Sequence, residues 1–204
     1  MGIKWIFFDM GSTLIDEKES DDLRIAETLL QCGAPDQAEF RRCMAQHYRM
    51  NRDGYKCALA DFGLKKALWN CEYERLYPDC NSVLAELSVK YRLGIIANQP
   101  AGAEHRLEQH GIRQYFDVIA SSAEVGFAKP DEKIFLAAMA QADCLPSECV
   151  MTGDRLDNDI APAAALGMHT VWIKQGWGAL GNAALLERSP DVTVENLTEM
   201  LKFF

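Results

Sequence analysis

The sequence lacks three features, each of which would assign it to a particular class of protein. No apolar run in its 204 residues approaches the roughly 20 residues that a membrane-spanning helix needs. Positive charge is scarce, because 21 Lys and Arg residues face 30 Asp and Glu residues and the net charge is −9. A nucleic-acid partner would need a basic surface instead. No internal repeat is visible either. We therefore expect a soluble globular protein with no membrane partner and no nucleic-acid partner.

Cysteine motifs of the kind that bind zinc or form disulfides are also missing. The seven cysteines are an odd number, and no two have the close spacing of a zinc or redox motif. They are typical of small apolar side chains in a reducing compartment. The first residues run directly into an apolar stretch, and we expect no cleavable signal there. These features together predict a cytoplasmic protein.

A short apolar run near the start, Trp5–Phe8, ends abruptly at an acidic residue, Asp9. Aromatic and β-branched residues without alternation are typical of a strand that is buried on both faces. Residues 10–13 then have the composition of a turn. A carboxylate at the carboxyl end of a buried strand lies where open α/β sheets bind their ligands. Taken alone, this stretch fits a functional Asp9 and a mere turn-capping Asp9 equally well.

Residues 80–204 alternate between short apolar strands and helices. Five further strands are predicted, over residues 93–97, 116–120, 149–152, 170–173 and 192–194. Strands that alternate with helices form a mainly parallel sheet covered on both faces. The predicted fold is therefore α/β, with a doubly wound, mainly parallel sheet.

Residues 16–79 have a different pattern, in which helical stretches are separated by turn residues. The last stretch is predicted over residues 55–76 with a break near residues 62–63, and no strand is predicted. The acidic run Asp16–Asp22 is predicted to be the solvated start of the first helix. We therefore predict an inserted helical domain over residues 16–79. The sheet domain would comprise residues 1–15 and 80–204, and two short links near residues 15–16 and 79–80 would act as hinges.

Three predicted strands end at polar residues. Asp9, Asn98 and Asp154 each follow a strand directly or within two residues, and Lys129 lies in the loop after a fourth strand. Parallel strands gather their carboxyl ends along one edge of the sheet. Two carboxylates suit a hard cation, and a lysine suits an anion. Each residue alone is common in loops, but together they predict a site for phosphate and Mg²⁺.

Four motifs in this order resemble those of the haloacid dehalogenase-like hydrolases. Residues 8–14 resemble Asp-x-Asp-Gly-Thr, residues 95–98 resemble the second motif, Lys129-Pro130 matches the third, and residues 153–159 match Gly-Asp-x-x-x-x-Asp. The resemblance covers the whole chain. It implies a Rossmann-like core, and it identifies the helical segment with the family's α-helical cap of the C1 type.

The resemblance also implies a role for each matching residue. Asp9 would be the nucleophile that forms an aspartyl-phosphate. The Asn98 backbone amide would bind the phosphate, and Lys129 would bind the same anion and orient Asp9. A Mg²⁺ cofactor would be held by a further set: the Asp9 carboxylate, the Gly11 carbonyl and Asp154, supported by Asp159. The substrate would be a small phosphorylated metabolite.

Two departures from the family pattern weaken this chemistry. Phosphatases of the family have a second Asp two residues after the nucleophile as general acid and base, and this chain has Gly11 there. General acid–base catalysis contributes about 10²–10⁴-fold. Ala97 replaces the phosphate-binding hydroxyl of the second motif. We therefore expect slow turnover, and we expect Gly11→Asp to accelerate hydrolysis of esters with poor leaving groups.

Four functions remain open at this point. The first is a Mg²⁺-dependent phosphomonoester hydrolase, favoured by the intact carboxylates and Lys129. The second is a catalytically impaired relative that binds a metabolite or a protein, favoured by Gly11 and Ala97. A dehalogenase is disfavoured because Gly11 is not Tyr. A phosphonate hydrolase would need a cap lysine as Schiff base, for which the candidates are Lys56, Lys65 and Lys66.

Substrate choice would fall to the helical cap, whose residues carry no transferable motif. Four candidates could face the site or simply form a solvated helix face: Arg41, Arg42, Tyr48 and Arg52. Trp177, in a glycine-flanked loop, has a packing role or contacts the cap or a partner. The sequence indicates no oligomeric state.

Overall fold

The computed structural model describes residues 2–204, and its centre is a parallel sheet. The strands, in chain order, are β1 (Trp5–Phe8), β2 (Ile15–Asp16), β3 (Arg75–Leu76), β4 (Arg92–Ala97), β5 (Phe116–Ser121), β6 (Cys149–Gly153), β7 (His169–Ile173) and β8 (Val192–Val194). Six of them form one sheet in the order β5-β4-β1-β6-β7-β8, and every neighbouring pair is parallel. The predicted doubly wound α/β fold is confirmed.

β1 lies at the middle of this sheet and is completely surrounded. Trp5 pairs with Arg92 on one side and with Cys149 on the other. All four side chains of β1 are buried, and they alternate between the two faces as strand geometry requires. Ile6 and Phe8 belong to one hydrophobic cluster, and Trp5 and Phe7 belong to the cluster on the opposite face.

Helices cover both faces of the sheet. They are α1 (Lys18–Thr28), α2 (Gln37–Arg49), α3 (Gly54–Phe62), α4 (Cys80–Leu87), α5 (Ala103–Gln109), α6 (Ser122–Val125), α7 (Glu132–Ala142) and α8 (Ala161–Ala165). Buried residues of α4 and α5 join the cluster of Phe8, and those of α7 and α8 join the cluster of Phe7. A 3-10 helix, Leu197–Lys202, follows β8. Among residues 2–204, none of the helices combines enough length with enough apolar character to span a bilayer.

Helices α1 to α3, which we call the helical segment (residues 18–62), have a hydrophobic cluster of their own. Its buried members are Ile25, Phe40, Met44, Tyr55, Ala58 and Leu59. Side-chain caps define the helix starts, since Asp36 accepts from the Glu39 amide at 2.8 Å and Asp53 accepts from the Lys56 amide at 3.0 Å. A separate cluster lets this segment hold its shape as one unit on the sheet.

The prediction that residues 16–79 contain no strand is wrong. β2 and β3 pair as a two-residue antiparallel ribbon, with Ile15 opposite Leu76, so both links to the helical segment run side by side. Residues 64–70 are irregular rather than helical. Long-range side-chain contacts replace their helical hydrogen bonds, because Gln31, in the turn after α1, bonds both backbone groups of Lys65, at 2.8 and 2.7 Å. Helical spacing alone does not reveal such long-range partners.

The helical segment contacts the loop after β7. The Trp177 ring stacks on Tyr48, with centroids 5.7 Å apart and planes 13° apart, and it packs against the segment's hydrophobic cluster. Asn51 and Asn182 exchange two hydrogen bonds, at 2.9 and 2.8 Å. Trp177 therefore joins the segment to the sheet. It has both of the roles that the sequence suggested as alternatives, because it packs in a hydrophobic cluster and contacts the helical segment.

Trp177→Ala should lower the free energy of unfolding by about 2 kcal/mol, because the stack and the apolar contact with the helical segment are lost. Trp177→Phe keeps an aromatic ring against Tyr48, and its free energy of unfolding should fall clearly less. Urea denaturation of the three proteins measures both differences. Equal stability of the alanine variant and the parent would contradict this role.

Candidate active site

The carboxyl ends of three neighbouring strands bring most of the predicted site residues together. Asp9 directly follows β1, Asn98 directly follows β4 and Asp154 directly follows β6. β1 lies between the other two strands, so these three residues start neighbouring loops at one edge of the sheet. The juxtaposition that the sequence predicted is present.

Lys129 is the centre of this site. Its side chain is completely buried, and its Nζ donates to Asp9 Oδ1 at 2.7 Å and to Asp159 Oδ1 at 2.6 Å. Burial acts to lower the pKa of Lys129, but the charges of Asp159 and Asp9 outweigh it and the pKa lies above its usual value. Lys129 therefore carries its positive charge in contact with both carboxylates.

A third carboxylate, that of Asp154, lies beside these two. One oxygen each of Asp9, Asp154 and Asp159 lies within 4.8 Å of the other two. Burial, followed by the negative charges of Asp159 and Asp9, raises the pKa of Asp154 well above its ordinary value. Asp159 is fully buried and accepts a second hydrogen bond from the Arg155 amide at 3.0 Å. One lysine does not neutralise three acids, so the cluster favours a further cation.

The donors of this cluster fit Mg²⁺. They are all oxygen atoms, which magnesium prefers, and the set includes no sulfur or nitrogen ligand that would favour zinc. The Gly11 carbonyl lies on the loop that follows Asp9, as the sequence suggested. The residues present therefore fit the metal that the family resemblance implied.

Asn98 has a structural partner in the Lys129 loop. Its side-chain amide donates to the Lys129 carbonyl at 2.8 Å and accepts from the Lys129 amide at 2.7 Å. This pairing fixes the loop whose lysine reaches Asp9. Ala97, one residue earlier, is buried at the end of β4 and presents no polar side chain.

Glu17 is a site residue that the sequence analysis missed. Its side chain is only 22% exposed, although the run Asp16–Asp22 was predicted to be solvated. Burial raises the pKa of Glu17 to about 8, with a smaller opposing effect of Arg106. The prediction of a solvated run is therefore wrong here, and Asp21 is likewise buried, paired with Arg24. The sequence itself gives no signal that links Glu17 to the glycine at position 11.

The expectation for Gly11→Asp stays a prediction, and the structure adds one condition to it. A Cβ atom added at Gly11 would lie 2.6 Å from Cδ and 2.5 Å from Oε1 of Glu17. The φ angle of Gly11 is not positive, so the backbone itself accepts other residues. An aspartate at position 11 therefore meets the Glu17 carboxyl, and Glu17 has to move before the new side chain fits.

A cavity of about 570 Å³ opens beside this site, between the helical segment and the loops after β1 and β7. Its lining residues are Ser12, Asp16, Glu17, Lys18, Asp21, Asp22, Arg41, Tyr77, Gly176 and Trp177. Of the four candidates for substrate choice, Arg41 lines the cavity and Tyr48 stacks on its wall residue Trp177. Arg42 and Arg52 are exposed to solvent.

Comparison with known proteins finds a matching family model and similar phosphatases. Residues 6–173 match the family model described as haloacid dehalogenase-like hydrolase. A glyceraldehyde 3-phosphate phosphatase of Methanothermobacter thermautotrophicus is 33% identical over 63% of this chain and 58% of its own length. A ribulose-1,5-bisphosphate 5-phosphatase of Halopiger xanaduensis is 31% identical over 79% of this chain and 69% of its own. The chain thus spans little more than half the length of the first relative.

Solved structures give the same result for the fold. A HAD phosphatase from Thermococcus onnurineus superimposes with a TM-score of 0.68 at 25% identity, over 98% of this chain and 97% of that one. A haloacid dehalogenase-like family protein from Streptococcus pneumoniae has a TM-score of 0.72 at 22% identity, over 99% and 98% of the two chains. The likeness extends over nearly the whole chain, including the helical segment.

Lys129→Met should destabilise the metal-free protein by about 3–5 kcal/mol, because it leaves buried carboxylates without their ammonium partner. Lys202→Met is the matched control, since Lys202 forms a surface ion pair with Glu199 at 3.2 Å and should cost less than about 1 kcal/mol. Urea denaturation in EDTA measures both. Similar losses in the two variants would show that the ion cluster is not a structural requirement.

Proposed function

This chain belongs to the haloacid dehalogenase-like hydrolases, and from that premise we propose that it is a Mg²⁺-dependent phosphomonoester hydrolase acting on a small phosphorylated metabolite. One observation carries the proposal: the Asp9 carboxylate lies at the carboxyl end of the central strand, in contact with buried Lys129 and beside Asp154 and Asp159. The phosphatase names of the relatives support the same class of substrate.

Asp9 acts as the nucleophile in this proposal. One carboxylate oxygen attacks phosphorus, the ester bond breaks, and an aspartyl-phosphate forms that water then hydrolyses. Lys129 holds Asp9 through the 2.7 Å hydrogen bond, which leaves the other carboxylate oxygen available for attack. The Lys129 ammonium also offsets the repulsion between an anionic nucleophile and an anionic phosphate. The Asn98 backbone amide binds the phosphate next to it.

Asp9, Asp154 and the Gly11 carbonyl would hold Mg²⁺, with Asp159 in support. When bound, the ion supplies positive charge next to the phosphoryl group. Asp159 is shared, because it already accepts from Lys129 and from the Arg155 amide. Its role is therefore to position the lysine and the loop of Asp154 as well as to add negative charge around the metal.

The helical segment serves as the cap in this proposal. The links β2 and β3 pair side by side, so residues 16–79 can move as one lid over residues 1–15 and 80–204. The cavity beneath the segment would receive the part of the substrate beyond its phosphate, with Arg41 among the residues that select it. All seven cysteines are free, which agrees with the cytoplasmic location that we propose.

The other functions have less support. The exposed side chains of Lys56, Lys65 and Lys66 are poor candidates for the desolvated Schiff base of a phosphonate hydrolase. A dehalogenase needs no metal, whereas this site concentrates three carboxylates. The second candidate is a binding protein, favoured by Ala97, whose buried methyl group offers no hydroxyl to a phosphate.

A panel of phosphate esters with and without Mg²⁺ tests the proposal. We expect Mg²⁺-dependent release of phosphate from at least one class of small ester, and none from Asp9→Asn, which removes the anionic nucleophile. Phosphate release that persists in folded Asp9→Asn would contradict the assignment of Asp9. Tight binding of an ester without turnover by the parent protein would favour the binding function instead.

Mg²⁺ should raise the melting temperature of the parent protein, because it binds the folded state only. The melting temperature should keep rising as the free Mg²⁺ concentration exceeds the dissociation constant of Mg²⁺. The rise should be much smaller for Asp154→Asn. Thermal unfolding at a series of Mg²⁺ concentrations provides the measurement, with Ca²⁺ as a comparison ion. If calorimetry detects no binding at millimolar Mg²⁺ and the variant behaves like the parent, the metal site does not exist.

A further inference from the structure

The Glu17 carboxyl occupies the volume that a side chain at position 11 would fill. An added Cβ at Gly11 meets only Glu17 among its nearest atoms, with both carboxylate oxygens and Cδ of Glu17 closest. A second Asp at position 11 would place its own carboxyl in this region. The chain therefore keeps a carboxyl group next to the Asp9 loop and brings it from six residues further along the sequence.

Glu17 also faces the space where a leaving group would lie. It lines the cavity beneath the helical segment together with Ser12, and its Oε2 is 3.5 Å from the Ser12 hydroxyl. Glu17 is thus in contact with the Asp9 loop on one side and with the cavity on the other. A proton donor for the leaving oxygen needs this position between nucleophile and substrate pocket.

Arg106 does not bind Glu17 as its main partner. The guanidinium pairs with both oxygens of Glu74, donating from Nε to Oε2 at 2.7 Å and from Nη2 to Oε1, and the Glu74 side chain is fully buried. The contact from Arg106 to Glu17 Oε1 is longer, at 3.4 Å. Arg106 therefore holds one Glu17 oxygen in place and leaves Oε2 without a charged partner.

The other acids of the cavity are already engaged. Asp21 pairs with Arg24, and Asp22 pairs with both Lys18 and Arg41. Asp16 accepts from the Lys18 amide at 2.9 Å at the start of α1. Of the four acids of the cavity, Glu17 is the one that supplies the three atoms nearest to a Cβ at Gly11.

We propose that Glu17 is the general acid and base of this hydrolase, in place of the carboxyl group that Gly11 lacks. The proposal rests on the hydrolase function proposed above. In the first step, an Asp9 oxygen bonds to phosphorus while the bond from phosphorus to the ester oxygen breaks. The carboxylic acid of Glu17 gives its proton to that departing oxygen, which leaves as an alcohol, and Glu17 becomes a carboxylate.

The second step restores both residues. The Glu17 carboxylate takes a proton from water as the water oxygen bonds to phosphorus, and the bond from phosphorus to the Asp9 oxygen breaks. Asp9 returns as a carboxylate, inorganic phosphate leaves, and Glu17 is protonated again. Glu17 thus serves as acid once and as base once in each turnover, with no other reactant than water.

Glu17→Gln tests the assignment, because it keeps the shape of the side chain and removes its proton chemistry. Turnover of an ester with an alkoxide leaving group should fall about 10²-fold or more. With p-nitrophenyl phosphate, whose leaving group needs little protonation, the first step should survive and the second should slow. The variant should then accumulate one phosphoryl group per protein, measured by intact-protein mass spectrometry. Glu19→Gln, at an exposed position of α1, is the matched control and should behave like the parent.

A rescue experiment tests the shared volume directly. Gly11→Asp combined with Glu17→Ala moves the carboxyl back to position 11 and removes the overlap that the single Gly11→Asp change creates. The reference protein carries Gly11→Ala with Glu17→Ala and so has neither carboxyl group. The Gly11→Asp, Glu17→Ala protein should hydrolyse the alkoxide ester faster than this reference, by a factor toward the lower end of about 10²–10⁴-fold. This comparison carries the test by itself if Glu17→Gln does not fold, which circular dichroism would reveal.

The outcomes separate the two proposals. If Glu17→Gln equals the parent on the alkoxide ester and Asp9→Asn is inactive, Glu17 has no catalytic role and the hydrolase function stands. If the rescue pair shows no difference while the parent is active, the same conclusion follows. If the parent itself hydrolyses neither ester with Mg²⁺ present, the hydrolase function fails and the role of Glu17 fails with it.

Discussion

Several carboxylates buried at one end of a sheet stay ionised only with a positive charge among them, because an unpaired buried carboxyl group takes up a proton instead. Lys129 supplies that charge from a loop far from Asp9 in sequence, and it contacts Asp9 and Asp159 at once. Asn98 secures the backbone of the same loop. Burial raises the pKa of an acid and lowers the fraction that is ionised. We therefore expect the lysine to support both the stability of the fold and the nucleophile that we propose.

Much of the fold could be predicted because its strands carry a strong local signal. Four buried aromatic and β-branched residues such as Trp5–Phe8 fit few structures other than a central strand. Residues 64–70 could not be predicted in the same way. Their backbone depends on Gln31 and Tyr55, which lie far away in sequence. The ribbon of β2 and β3 is too short for any periodicity to show.

The positions of Asp9 and Asp154 could be predicted because each directly follows a recognisable strand, and Lys129 could be singled out because Lys129-Pro130 matches a motif. Glu17 could not, because its importance comes from a volume that it shares with Gly11. A glycine at a motif position and a glutamate six residues later have no visible relation in the sequence. Their relation appears only once the turn after β1 folds back on itself. Trp177 is different, because the sequence suggested a packing role or a cap contact and only its partner, Tyr48 in the helical segment, needed the structure.

The most direct test of the central claim is the chemical fate of Asp9 during turnover. The parent protein would be mixed with Mg²⁺ and an ester carrying a radiolabelled phosphoryl group, quenched in acid and digested, and the labelled peptide would be sequenced. We expect label on the peptide that contains Asp9, and none after the same treatment of Asp9→Asn. Label on a different residue, or full turnover in a protein that never becomes labelled, would contradict it.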